Sequence, residues 1–118
     1  MKNSEKLEKI LNKKLPKDYK EFIDNYGLLS TDGMEIYGYN KSLKDINIIP
    51  SVIGATKAYK KDYNISDNEL VIAIDDITYQ PILLNIKNGK IYLINPNNQK
   101  ELLFNSFNEF FNDYISNH

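Results

Sequence analysis

Cysteine, tryptophan and arginine are all absent from the 118 residues, and the single histidine is His118, the last residue. Without cysteine there is no disulfide, no thiolate metal site and no cysteine nucleophile, so packing and hydrogen bonds must supply the stability. A histidine at a chain end, where backbones fray, makes a poor general base. Catalysis would have to rest on carboxylates, lysines, tyrosines or hydroxyls alone, and no spacing forces that reading, so the chain is expected to be no enzyme and to hold no cofactor. All 15 basic residues are lysine. Arginine supplies the rigid fork for bidentate contact with guanine and phosphate, so its absence argues against sequence-specific nucleic-acid binding, and the net charge of -1 agrees. Long apolar runs are missing too. None approaches the roughly 20 residues needed to cross a bilayer. Residues 1–6 lead into a charged helix instead of a signal-peptide apolar stretch, which places the chain in the cytoplasm with no membrane partner.

What is present suits a packed globule: 42% hydrophobic and 26% charged residues. At this length one core is enough, and one domain over residues 1–118 is expected, burying roughly two-thirds of the surface that the unfolded chain exposes. Charge is uneven. Residues 1–20 hold seven lysines against three acids, whereas residues 62–86 hold five acids and no lysine, so one face is expected to be acidic.

Leu7, Ile10 and Leu11 follow helical spacing over residues 4–13, with Ser4 as N-cap. Leu15-Pro16 breaks that helix and starts another to Tyr26, striped by Tyr19, Phe22, Ile23 and Tyr26 and stopped by Gly27. Thr31-Asp32-Gly33 reads as a turn into a short strand over residues 34–38. After an irregular stretch ending at Pro50, Ser51 caps a helix to about Tyr63, which Gly54 weakens. The apolar run over residues 70–74 reads as a central strand covered on both faces, ended by Asp75-Asp76. Segments 81–86 and 90–95 flank Asn88-Gly89, which predicts a tight type I′ hairpin. Pro96-Asn97-Asn98 turns the chain into a strand over residues 101–104, and Ser106 with Glu109 forms a capping box for a last helix faced with Phe107, Phe110, Phe111 and Tyr114. The order predicts one α+β domain, with a mostly antiparallel sheet of four to five strands packed by N-terminal, middle and C-terminal helices.

Asp75, Asp76 and Glu35 are the only acids whose placement suggests a carboxylate cluster, and adjacent acids after a strand more commonly form a solvated turn or an acidic patch than a metal or catalytic site. Tyr37, Tyr39 and Tyr79 fall near strand ends, where a ring can cover the core or meet a partner with its hydroxyl free. With no tryptophan or arginine, tyrosine is the natural hot-spot residue here. The candidate partner surface is therefore Glu35, Tyr37, Tyr39, Asp75, Asp76 and Tyr79. The lysines of the first two helices, interleaved with acids, read as a solvated face.

The stretch Leu15-Pro16-Lys17-Asp18-Tyr19-Lys20-Glu21-Phe22, followed by Asn25-Tyr26-Gly27, resembles the opening signature of the SUKH superfamily, the Smi/Knr-type domain. Later segments fit the same order: Glu35-Ile36-Tyr37-Gly38 is similar to its first strand, residues 70–76 to its strand ending in acids, Gly89-Lys90-Ile91-Tyr92 to its hairpin return, and Ser106-Phe107-Asn108-Glu109-Phe110-Phe111 to its closing helix. The chain departs from many relatives in having no tryptophan on the hairpin strand, where Tyr92 or Leu93 stands. Members are mostly bacterial immunity proteins that bind and neutralise a cognate polymorphic toxin, commonly a nuclease, and fungal relatives are scaffolds in cell-wall regulation. The resemblance implies a protein that binds a toxin and acts by occupancy, covering its active site or an exosite, with an interaction scaffold as the alternative; the sequence leaves the oligomeric state, monomer or weak dimer, open. A carboxylate-dependent hydrolase or metal protein is the third, minor reading.

Overall fold

A computed structural model describes residues 1–31 and 34–117; Asp32 and Gly33 of the expected turn, and His118, lie outside them. The first apolar stripe forms α1, Asn3–Leu11, with Leu7 fully buried. Ser4 is not its cap. Lys2 holds that position with no side-chain bond, while the Ser4 hydroxyl and amide both donate to the Asp24 carboxylate, at 2.8 and 2.9 Å. A tertiary acceptor has won over the local one. Pro16 precedes α2, Lys17–Tyr26, which stops at Gly27 with φ 73° and the Gly27 amide donating to the Ile23 carbonyl at 2.9 Å. Glu8 ties the two helices by accepting from the Leu15 amide at 2.8 Å and facing Lys20 Nζ at 3.4 Å.

Strands β1, Leu29–Thr31, and β2, Met34–Ile36, pair antiparallel as a ladder of their own. The main sheet holds β3, Glu69–Ile74; β4, Pro81–Asn85; β5, Ile91–Ile94; and β6, Lys100–Phe104, antiparallel in the order β3-β4-β5-β6. The α+β class is as expected, but β3 ends the sheet and is not central to it. Its apolar run reflects cover on both faces, and its outer side is met by the chain after β2, where the Tyr37 amide donates to the Ile72 carbonyl at 2.7 Å. The helix α3, Val52–Tyr59, packs on β3, capped by the Ser51 hydroxyl, which accepts from the Ile53 amide at 3.1 Å. Gly54 is needed there: a Cβ on it would stand 2.3 Å from the Ile48 backbone. Thr56 joins helix to strand, its hydroxyl donating to the Val52 carbonyl at 2.7 Å and accepting from the Val71 amide at 2.9 Å beside a register shift in β3.

The pairing places Glu69 and Lys100 at opposite corners of the sheet, because Glu69 opposes Asn85, near the start of β5, and Lys100 opposes Ile94 at its end. Nevertheless Lys100 Nζ lies 2.7 Å from Glu69 Oε1, and the Asn98 side chain accepts from the Asn64 amide at 2.8 Å. The sheet must therefore curl until its far corner reaches the start of β3, which requires strong right-handed twist.

At Asn88-Gly89 a hairpin forms, but not with a type I′ turn, which needs positive φ at both residues. Only Gly89 has it, at 76°. The Ile86 amide donates to the Asn68 carbonyl, continuing the pairing of β4 with β3, and Asn85 closes a wider loop by accepting from the Gly89 amide and donating to the Lys90 carbonyl. The last helix, α4, is Phe107–Asn117. Its capping box is half-made: Ser106 Oγ accepts from the Glu109 amide at 3.1 Å, while the Glu109 carboxylate takes the Asn105 amide at 2.9 Å instead of that of Ser106. Tyr19, Phe22, Phe107, Phe110 and Phe111 form the aromatic layer between α2 and α4.

Candidate partner-binding surface

The structure divides the six candidate residues into two groups. Glu35 sits in β2, half-buried. Tyr37 and Tyr39 are core residues, only 5% and 3% exposed, so their rings offer almost nothing to a partner, contrary to expectation. Both lie where the chain leaves β2 under α2: the Tyr19 hydroxyl donates to the Tyr37 carbonyl at 2.8 Å, and the Tyr39 amide donates to the Gly27 carbonyl at 3.0 Å. The alternation that suggested a half-exposed strand ends at Ile36, and the next three residues are all buried. Among the described residues no cluster of three or more acids or histidines could hold a metal ion, so Glu35 does not join Asp75 and Asp76 in such a site.

Burial raises the Tyr37 hydroxyl to about 12, with the neighbouring Tyr59 and then Glu35 adding to the rise, and burial raises Tyr19 further still. A group whose folded value exceeds its unfolded one, about 10 for tyrosine, contributes stability that is intact below pH 10 and is lost as pH rises through the folded value. Stability against urea is therefore expected to stay level up to about pH 10 and fall between about 10 and 12. The tyrosinate absorbance that Tyr37→Phe removes should appear only above about pH 10, and its appearance at lower pH in the folded protein would contradict the burial.

Asp75, Asp76 and Tyr79 lie together in the loop from β3 to β4. Asp75 builds the loop. Its Oδ2 accepts from the Thr78 amide and the Thr78 hydroxyl, both at 2.8 Å, and from the Ile77 amide at 3.3 Å. Its backbone amide donates to the Gln80 carbonyl at 2.9 Å, and its carbonyl accepts from the Tyr79 amide at 2.8 Å. Burial alone would raise the Asp75 carboxyl, but the bonds from Thr78 and Ile77 favour the anion and hold it below the usual carboxylate value. Tyr79 closes the loop in the left-handed region, at φ 58°.

The bracing carries two apolar side chains outward: Ile77 is 82% exposed and Tyr79 76%, the most exposed large hydrophobics among the described residues. The candidate surface read from the sequence includes Tyr79 but not Ile77, and the turn expected at Asp75-Asp76 forms, with the Asp75 carboxylate bonded within it. The available signal was a β-branched apolar residue inside an otherwise polar turn. The register places the 95–99 turn at the same end of the sheet, and an open groove lies there, lined by Gln80, Leu93, Asn95, Gln99, Lys100 and Glu101.

The sequence matches the SUKH_5 family, described as SMI1-KNR4 cell-wall, along residues 1–116. The chain belongs to this family. No curated protein matches it. Membership of the SMI1-KNR4 family covers the segments that carried the resemblance, from Leu15-Pro16 to the closing helix. No described helix is long and apolar enough to cross a membrane.

Proposed function

We propose that this protein is an immunity protein that binds a cognate bacterial toxin in the cytoplasm and neutralises it by covering its active site or a nearby exosite. The observation that carries this reading is family membership over residues 1–116. The end of the sheet at residues 75–80 supports it, with an exposed isoleucine and tyrosine, Asp75 and Asp76 in the same loop, and an open groove lined in part by Gln80. Exposed aromatic anchors are the usual centres of binding energy, and acids around them favour a basic partner and speed its approach more than they deepen affinity. A contact of ordinary size would bury about 1,600 Å² in total.

The test is co-expression with the toxic polypeptide encoded beside this chain. The expected result is restored growth, and stoichiometric inhibition of the purified toxin. The family description also names the cell wall, which favours a regulatory scaffold as second reading. That reading predicts stable association with the cell's own proteins and no rescue, an outcome that would remove the immunity proposal.

A further inference from the structure

We infer that the β3–β4 loop is a preformed wedge: Ile77 and Tyr79 enter a concave apolar pocket of the toxin domain whose rim carries lysine or arginine, and Asp75 is the positioning residue that holds them ready. The inference rests on the immunity reading and deepens it by stating the chemistry of the partner's pocket.

Three features of the loop support it. Ile77 and Tyr79, at 82% and 76% exposure, are separated by one residue in the same loop, near enough for one pocket to take both, whereas the adjacent pair Ile48 and Ile49 is less exposed, at 58% and 38%, and Tyr26 packs its ring against Phe22 and Phe111 at 5.7 Å. The tip is braced before any partner arrives, by three bonds to Asp75 Oδ2 and by backbone bonds from Asp75 to Gln80 and from Tyr79 to Asp75. A braced loop loses little conformational freedom on docking, which is how preorganisation raises affinity. Finally, Asp75 and Asp76 put negative charge in the same loop as the two exposed apolar side chains, a pattern that fits an apolar pocket with a cationic rim.

Affinity for the purified, catalytically inactivated toxin encoded beside this chain is the measurement, by calorimetry or surface binding. Ile77→Asp and Tyr79→Ala are each expected to weaken binding about 30-fold or more, as central anchors do. Asp75→Ala should weaken it about tenfold, and Asp75→Asn should restore it to within about threefold, because the amide oxygen can accept the same bonds without the charge. Lys87→Ala, on the β4–β5 turn, serves as a control and should bind like the parent. Both tip residues are exposed, so Ile77→Asp and Tyr79→Ala keep the test valid even if Asp75→Ala folds poorly. Parent-like affinity of both tip variants, with the parent binding tightly, overturns the wedge and leaves the immunity reading standing. Failure of the parent itself to bind or neutralise that toxin overturns the immunity reading and the wedge with it.

Discussion

Gly38→Ala is expected to abolish stable folding, with a loss of about 4 kcal/mol or more, beyond the ~1–3 kcal/mol of ordinary overpacking. The reason is space, since Gly38 has no positive φ. A Cβ at this position would stand 1.9 Å from the Gly27 carbonyl oxygen and 2.9 Å from Ile23 Cδ1. Neither neighbour can yield cheaply. The Gly27 carbonyl accepts from the Tyr39 amide at 3.0 Å, and Gly38 itself is held on its other side by Val52, whose amide donates to the Gly38 carbonyl at 2.8 Å. Three elements converge on this one residue: the end of α2, the chain leaving β2 and the start of α3. Adding a methyl group must part them, and a domain of this size has only about 5–15 kcal/mol in total to lose. Gly89→Ala is the contrasting case. Nothing lies within 4 Å of its built Cβ, so only the left-handed backbone at φ 76° is penalised, at about 1–2 kcal/mol. Urea denaturation of the two variants checks the pair, and an unchanged midpoint for Gly38→Ala would show that the α2–β2–α3 junction is not the pinch described.

Local chemistry was legible in the sequence wherever one residue type has a strong backbone preference. Pro16 and Gly27 bracket α2, Ser51 caps α3, and Gly89 takes the left-handed position of its hairpin. The same rules failed where a distant group offered a better bond. Ser4 abandoned the cap of α1 for Asp24, a partner no spacing in the chain forecasts. At Asn88-Gly89 a competing local bond is present: Asn85 Oδ1 accepts from the Lys87 and Asn88 amides in a wider turn than type I′.

The candidate surface shows the same limit. Tyrosine near a strand end is ambiguous by chemistry, and burial decided it: Tyr37 and Tyr39 went under α2, Tyr79 went outward. Asp75 was recognisable as an acid but not as the acceptor on which a loop is built, because that role needs Ile77 and Thr78 to turn back toward it. Glu69 and Lys100 are 31 residues apart in sequence, and only the curl of the sheet brings them together.

Phe107→Ala should cost about 3–5 kcal/mol, the range for a fully buried phenylalanine whose site cannot collapse. Phe107 is 1% exposed and stands at the centre of the aromatic layer, with ring centroids 5.0 Å from Tyr19, 5.2 Å from Phe22 and 5.9 Å from both Phe110 and Phe111. Those neighbours sit on two helices whose backbones are fixed by other bonds, among them the Asn108 amide donating to Asp18 Oδ2 at 3.0 Å, so the void would persist. Phe111, only half-buried, should cost less on the same change, and equal losses would mean that burial does not rank these rings. Phe107→Ala also separates stability from binding. The register puts Phe104, the β6 residue whose ring meets that of Phe110 edge-on, level with Ile91, whereas the 75–80 loop lies at the other end of the sheet beyond Pro81. Below its lowered melting point the variant should therefore bind its toxin like the parent, whereas Ile77→Asp should melt like the parent and bind poorly. Urea midpoints and affinities measured on both proteins would show the two losses falling on opposite ends of one sheet, and a joint loss in either variant would mean that the tip and the core are not independent.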